Sequence, residues 1–383
     1  MGARYVAGES LMASASKPSS RYQRQTVLGE IGPSGQERLS KARVLVVGAG
    51  GLGSPVLLYL AAAGVGLRSV GGYLGLIDDD VVDLSNLQRQ VLFAEADVGS
   101  PKVLAAANQI EALNSELDIR PIQARLDASN ILDLLADYDI VVDGSDNFVT
   151  KYLINDAAVK LGKPVVYGSI LGFEGQAAVF WAEHGPCYRC LYPEAPKTYV
   201  PNCAEFGTLG GIAGLVGSVQ AIEVCKLALG LDHCKNAGLE PMIGRLWCVD
   251  ARSMETRLLD FSKKTDCPVC CLRAEEIVLA ESEAPACAST LTLVDWRQRL
   301  AAGKKFILLD VRQPQEWAIE HLPDSLLIPL AYLMSAPESL EKLDRSLEIL
   351  VHCQHGIRSR SAVQFLRQKG FKAVNLDVDW SAV

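Results

Sequence analysis

Cys353 follows the apolar run Ile349-Leu-Val351 and stands five positions before Arg358, in Cys353-Gln-His-Gly-Ile-Arg358-Ser359. A cysteine at such a strand-to-helix turn meets backbone N–H groups and the positive end of the next helix, and the guanidinium adds charge. Surroundings of this kind lower a thiol pKa from about 8.5 into roughly the 3.5–7.5 range, so Cys353 reads as a thiolate nucleophile. A second constellation is formed by Cys187-Tyr-Arg-Cys190 and Cys267-Pro-Val-Cys270. Each pair brings two thiolates within reach of one ion, and two pairs complete a tetrahedral site. One pair alone could equally be a dithiol redox couple. The third is Gly48-Ala-Gly50-Gly51-Leu-Gly53. Its glycines let the backbone turn tightly and approach a phosphate, whose charge the following helix N-terminus stabilises. Asp78, at the end of the next strand, is the acidic residue such sites direct at ribose hydroxyls. The motif is shared by dehydrogenases and methyltransferases, and an NAD dehydrogenase is the first reading it invites.

These residues need elements to hold them. The apolar runs Arg43-Val-Leu-Val-Val47, Leu74-Gly-Leu-Ile77, Ile140-Val-Val142 and Pro164-Val-Val-Tyr167 read as buried parallel strands. They alternate with helical segments such as Pro55–Ala63, where proline is tolerated in the first turn. The pattern is an α/β, doubly wound sheet. Around 271–290 the texture becomes acidic and alanine-rich, and a smaller unit with strands at Phe306–Leu309 and Glu348–Val351 and a helix near Ser359–Gln368 follows. At 383 residues two domains are expected. The boundaries are a disordered tail over 1–20, a first domain over 21–271, a linker over 272–290 and a second domain over 291–383. A net charge of −8 argues against a nucleic-acid-binding surface. The apolar stretch Gly207–Gly230 is interrupted by Gln220, Glu223 and Lys226, so it reads as a core helix and no membrane span is expected. The polar N-terminus lacks a signal peptide's apolar run, and eleven cysteines, an odd number, point to reduced thiols and a cytoplasmic setting.

The residues around the glycine motif carry a resemblance. Arg21-Tyr-Gln-Arg24-Gln, then Asp78 through Asn86, Arg89 and Gln90, then Gly99-Ser-Pro-Lys102, then Asp143-Gly-Ser-Asp146-Asn147, resemble in order the MoeB/ThiF branch of the ubiquitin-activating (E1-like) superfamily. The resemblance covers about residues 21–271 and implies an E1-like Rossmann-type domain that binds ATP and Mg²⁺ and forms an acyl-adenylate. A carboxylate and an α-phosphate repel, so this chemistry needs cations and a metal around the polyphosphate. By the resemblance Arg89 and Lys102 contact phosphates, Asp146 supports Mg²⁺, Asp78 holds the ribose, and Asn86 and Gln90 line the site. Gly48, Gly50, Gly51 and Gly53 form the loop, and Arg24 reaches the nucleotide of a neighbouring subunit in a homodimer. Asp79, Asp80 and Asp83 read as solvated charges. Between Gly64 and Asp78 the chain is roughly six residues longer than the family spacing, and the excess reads either as a surface loop or as an error in the gene model.

In this family's positions the two cysteine pairs, Cys187, Cys190, Cys267 and Cys270, imply structural zinc without a catalytic role. Cys203 resembles the relatives' thiol that bonds covalently with activated carrier or relays sulfur. Cys225 and Cys248 read as small buried hydrophobes.

From about 291 the chain resembles a rhodanese domain, on Leu309-Asp310-Val-Arg312, Glu316-Trp317, His321-Leu-Pro323 and the Cys353 loop. Cysteine phosphatases use a similar loop with arginine six positions on; five favours sulfur transfer, with Cys353 carrying a persulfide. The family's glycines are replaced by Glu320 and Asp324, and Asp-Val-Asp precedes Trp380 where Gly-Gly is common. The combined resemblance implies an adenylyltransferase and sulfurtransferase acting on a ubiquitin-like sulfur carrier that ends in Gly-Gly. A cysteine desulfurase or thiosulfate would be the donor, and molybdenum cofactor synthesis the expected route. Thiamine or cysteine synthesis, tRNA thiolation, modifier activation with Cys203 as thioester, and a non-catalytic docking module are the alternatives.

Overall fold

The computed structural model describes residues 20–196, 207–279, 290–354, 356–378 and 380. The expected tail up to residue 19, Cys203 and Cys287 lie outside the described residues. What is described falls into two compact units, one before and one after the 280–289 stretch.

In the first unit the apolar runs fold as strands. β1 (Arg43–Val47), β2 (Tyr73–Ile77), β3 (Ile119–Ile122), β4 (Ile140–Asp143) and β5 (Val165–Leu171) pair in parallel in the order β3-β2-β1-β4-β5. The sheet continues antiparallel through β6 (Glu174–Phe180), β7 (Arg245–Asp250) and β8 (Glu255–Asp260). Alternate residues serve opposite cores. Val44, Val46, Leu74 and Leu76 pack with Val56 and Leu60 of the Gly53–Ala63 helix, while Leu45, Val47 and Val141 pack with Leu153 and Ile154 of the Phe148–Leu161 helix. Covering both faces is what makes these strands read as continuous apolar runs. The doubly wound class expected from the sequence is therefore the class observed. The antiparallel half was not legible, because its strands carry polar residues and β8 is exposed along its whole length.

The apolar stretch forms the helix Gly210–Leu229, which passes a membrane-span test by length and composition. More than half of its apolar window is buried within the unit, 56%, against β5 and β6 among others. The excess segment before β2 is an exposed 3-10 turn, Arg68–Val70, closed by Gly71 at φ +80°. It lies at the start of β2, so the strand still delivers Asp78 at its far end.

β1 and β4 are neighbours whose chain connections leave toward opposite edges of the sheet, which opens a crevice at their carboxyl ends. The glycine loop fills that point. Gly48 turns at φ +92°, and a Cβ on Gly53 would stand 1.9 Å from the Gly48 carbonyl oxygen. Only glycine allows the helix to start this close to the strand.

The second unit is a five-stranded parallel sheet in the order β11-β10-β12-β13-β9, comprising β9 (Thr290–Leu291), β10 (Phe306–Asp310), β11 (Leu326–Leu327), β12 (Glu348–His352) and β13 (Lys372–Leu376). Ile349, Val351 and Cys353 share one core face with Leu366 of the Ile357–Gln368 helix; Leu308, Leu350 and Leu376 share the other with Trp296. Asp324, one of the replaced glycines, keeps a left-handed backbone at φ +60°, a conformation aspartate tolerates better than most residues.

Gly53→Ala should destabilise the first unit by about 2 kcal/mol or more through overpacking. Denaturant titration of the variant measures this, and an unchanged midpoint would refute the close approach.

Candidate functional site

At the crevice the carboxylate of Asp78 accepts the Ala49 N–H at 2.7 Å and the Asp80 N–H at 2.8 Å, so it fixes the glycine loop as well as facing it. Burial raises the Asp78 pKa, opposed by the charge of Lys102. Lys102 opens the Lys102–Leu113 helix, is buried, and pairs with Asp80 at 2.8 Å. Asp80 is thus a partner of Lys102 and not a merely solvated charge. Asp83 likewise caps the 3-10 turn Leu84–Asn86, accepting from Ser85 N at 2.8 Å. That turn sets Asn86, Arg89 and Gln90. The Arg89 stem lies beside Gly51, and its guanidinium donates to the Ser85 carbonyl at 3.1 Å. Gln90 is 3% exposed, beside Gly50, and its Oε1 has no hydrogen-bond partner. A buried acceptor of this kind next to a phosphate-type loop suits a ligand that brings a donor.

From the other strand, Asp143 is buried in an ion pair with Lys151 at 3.1 Å, while its second oxygen accepts Ser145 N at 3.0 Å and Ser145 Oγ at 2.6 Å. The turn so formed carries Asp146, which is exposed, and Asn147, which caps the Phe148–Leu161 helix through Thr150 N at 2.9 Å. Gln220 donates to the Asp143 carbonyl at 2.9 Å. Lys151 leaves no mark in the sequence, because a lone lysine in a helical pattern carries no local signal of burial, and Gln220 stands out there only as an interruption of the apolar stretch.

Arg24 is not brought to this crevice. Its neighbours anchor at the opposite end of the Gly53–Ala63 helix, with Gln25 donating to the Ala63 carbonyl at 3.1 Å and the Tyr22 ring against Gly64. An eleven-residue helix spans about 16 Å.

The four cysteines converge. Sγ separations are 3.9 Å for Cys187–Cys190, 3.6 Å for Cys187–Cys267 and 3.5 Å for Cys190–Cys270, and all four lie within 4.8 Å of one another. Tetrahedral zinc with bonds of about 2.3 Å requires sulfurs about 3.8 Å apart, so the set fits that ion. Burial, then the Cys190 and Cys267 charges, push the Cys187 thiol up to about 12, so these thiolates need a cation among them. Arg189, inside the first pair, forms a two-pronged ion pair with Asp156 at 2.8 and 2.7 Å, and Asn155 accepts the Tyr188 N–H at 2.8 Å. Cys271 turns away, its thiol donating to the Lys264 carbonyl at 3.2 Å. The packing continues past the pair, since Lys160 donates to the carbonyls of Ala274 and Ile277 at 2.8 and 2.9 Å. Cys225 and Cys248 are half-buried and pack against the two cores, where burial raises both thiol pKa values, and Cys234 donates to the Lys226 carbonyl at 3.0 Å.

In the second unit Cys353 is 2% exposed, and its Sγ accepts the Ser359 N–H at 3.4 Å and meets Ser359 Oγ at 3.4 Å. Arg358 is engaged by Glu316 through two bonds of 2.6 and 2.7 Å, which offsets part of the charge expected for the loop. Asp310 and Arg312 form a fully buried pair, and Arg312 also donates to the Glu320 carbonyl at 2.8 Å and to Gln354 at 3.1 Å. His352 is buried beside them with both ring nitrogens unpartnered, and burial pulls its pKa down to about 4.

Comparison with known proteins now decides the family. The ThiF family profile matches residues 22–269, well over half of the chain. The chain belongs to the ThiF family. A rhodanese-like domain profile matches residues 293–383. The chain is 44% identical over 371 residues to a protein of Mycobacterium tuberculosis called probable adenylyltransferase/sulfurtransferase MoeZ, covering 93% of this chain and 90% of the relative. It is 48% identical over 256 residues to the sulfur carrier protein adenylyltransferase of Thermus thermophilus, covering 65% of this chain and 90% of that one. Among solved structures, E. coli MccB with MccA-N7isoASN superimposes with a TM-score of 0.57 at 20% identity, over 67% of this chain and 75% of that one, a likeness of fold. This ThiF-family chain is an enzyme, of the adenylyltransferase and sulfurtransferase kind.

Two outcomes test the geometry. Metal analysis of this ThiF-family protein should find about one zinc per chain. Cys267→Ser should lose it and lower the first unit's melting temperature by about 10 °C. The His352 pKa, lowered from 6.5 to about 4, means the unfolded chain binds the proton more readily. Stability of the second unit should therefore be full above pH 6.5 and fall as pH drops toward about 4. Denaturant melts across that window should show a flatter dependence for His352→Asn.

Proposed function

We propose that this chain joins the C-terminal glycine of a ubiquitin-like sulfur carrier to AMP and then converts the acyl-adenylate into a thiocarboxylate with sulfur carried on Cys353. The observation that supports this best is the union, in one chain, of a ThiF unit whose glycine loop is ringed by Asp78, Arg89, Gln90 and Lys102 and a rhodanese-like unit with a buried cysteine. The domain bounds we assign are 21–271 for adenylylation, 272–290 for the linker, whose first residues pack on the first unit as far as Ile277, and 291–383 for sulfur transfer.

The carrier carboxylate attacks the α-phosphorus of ATP and pyrophosphate leaves. Arg89 and Lys102 offset charge on the polyphosphate, Lys102 exchanging Asp80 for phosphate oxygens. Asp78 accepts from the ribose hydroxyls, Asn86 and Gln90 line the nucleotide, and Gly48, Gly50, Gly51 and Gly53 admit the phosphates. Mg²⁺, held through Asp146, would neutralise charge between the phosphates. Arg24, anchored away from its own crevice, is assigned to the nucleotide of the second subunit in a homodimer. The terminal sulfur of the Cys353 persulfide next attacks the acyl carbon, AMP leaves, and an acyl disulfide remains. Cys203 attacks the Cys353 sulfur of that disulfide and releases the thiocarboxylate. The Cys203–Cys353 disulfide is reopened by a cellular thiol reductant. A desulfurase-borne persulfide or thiosulfate reloads Cys353. Arg358, held by Glu316, shapes the loop that bears the sulfur. Cys187, Cys190, Cys267 and Cys270 hold zinc and take no part in the chemistry. The route we assign is molybdenum cofactor synthesis, in the cytoplasm.

Lys102→Ala should reduce carrier-dependent ATP–pyrophosphate exchange by about 100-fold or more. Cys353→Ala should leave exchange intact and abolish the mass change from carboxylate to thiocarboxylate. Full exchange in the first variant would refute the site assignment, and full thiocarboxylate formation in the second would refute the role of Cys353.

A further inference from the structure

The residues just before Trp380 depart from the rhodanese pattern, and Trp380 takes no part in the proposed reaction. The indole N–H of Trp380 donates to the Cys353 carbonyl at 3.2 Å. The Arg312 guanidinium lies over the same ring, 3.7 Å from its centroid, and the His352 ring is 5.8 Å away. Arg312 donates in turn to Gln354 Oε1 at 3.1 Å. The first two residues of the loop are thus each tied by one hydrogen bond to a stacked arginine–tryptophan pair.

The side on which these groups lie matters. The Cys353 side chain belongs to the core face of Ile349 and Val351, whereas Trp380 packs with Leu350 and Leu376 on the other. In a trans peptide the C=O and the next N–H point in opposite directions. A carbonyl held toward Trp380 therefore turns the Gln354 N–H toward the face that holds the sulfur. Ser359 N–H already approaches Sγ from that face at 3.4 Å.

We propose that Trp380 is the positioning residue of the sulfur-bearing loop, its indole N–H holding the Cys353–Gln354 peptide so that the Gln354 N–H faces the Cys353 sulfur. This rests on Cys353 being the sulfur-bearing thiol. Among the described residues, the charged groups around the loop are largely engaged with one another. Asp310, which ends β10, and Arg312, just after it, are paired with each other. Glu316 is paired with Arg358, and His352 of β12 is neutral near pH 7. Arg360 lies over Gly356, 2.8 Å from where a Cβ would stand. The Gln354 amide thus adds a fixed dipole to those of the Ser359 N–H and the start of the Ile357–Gln368 helix on the side of the sulfur.

The test uses the full-length chain. Trp380→Phe keeps an aromatic ring under Arg312 and removes the N–H together with the five-membered ring that bears it. Alkylation of Cys353 by iodoacetamide, followed by mass spectrometry, should slow about ten-fold near neutral pH, the effect of turning one amide dipole away from a charged sulfur. It should match the unmodified chain above about pH 10, where thiols ionise unaided. A role in packing alone would be restored by phenylalanine, so a profile equal to the unmodified chain overturns the assignment. Should the variant lose the second unit's fold, the unmodified chain decides: the Trp380 indole N–H resonance must move when Cys353 is alkylated, and an unmoved resonance overturns the assignment. Alkylation requires no sulfur transfer. Absence of a persulfide on Cys353 would thus refute the proposed function while the pH profile still judged Trp380.

Discussion

Asp143 takes a negative charge into the interior of the first unit, and the crevice depends on how that charge is met. Lys151 neutralises it from the helix that follows, and Ser145 uses its second oxygen to bend the chain into the turn bearing Asp146. A buried ion pair of this kind contributes little net stability, since desolving two charges offsets their attraction. Its effect is geometric. It pins the end of β4, whose Gly144 donates to the Val47 carbonyl at 2.9 Å, and so fixes the distance between β4 and the glycine loop. Gln220, from the long apolar helix, secures the same strand end from a second direction. Removing Lys151 would leave an uncompensated buried carboxylate below the nucleotide loop, the costly half of such an exchange.

The second unit solves a similar problem with Arg312. Its guanidinium is fully buried because three different acceptors and a ring surround it: the Asp310 carboxylate, the Glu320 carbonyl, Gln354 and the Trp380 face. An arginine satisfied in this manner acts as a rivet between β10, the loop after β12 and the chain end. His352 beside it stays neutral, since burial outweighs the attraction of Asp310 at 4.0 Å. In both units, then, a buried cation organises a strand end.

Much of this was legible in the sequence, and the rest was not for physical reasons. β1, β2, β4, β10 and β12 were readable because burial on both faces makes their residues uniformly apolar. β6 to β8 were missed because an antiparallel half with a solvated edge loses that signature, as Glu255–Asp260 illustrates. Cysteine spacing revealed the four-sulfur cluster, but not the Arg189–Asp156 pair that orients it, which joins positions 33 residues apart. The loop spacing singled out Cys353 and Arg358, yet the Glu316 partner of Arg358 lies 42 residues away. Local pattern reports on what a residue is; pairing at a distance decides what its charge can do.

The turn Arg68–Val70 has a meaning beyond its position. In a parallel sheet every strand begins at one rim and delivers its reactive residue at the other, so the two rims have separate tasks. Extra chain gained at the starting rim lengthens only the approach to β2 and leaves Asp78 beside Ala49. That rim is open to growth during evolution and to engineering alike. A fluorophore or affinity tag grafted between Arg68 and Gly71 would sit on the far side of the sheet from the nucleotide loop.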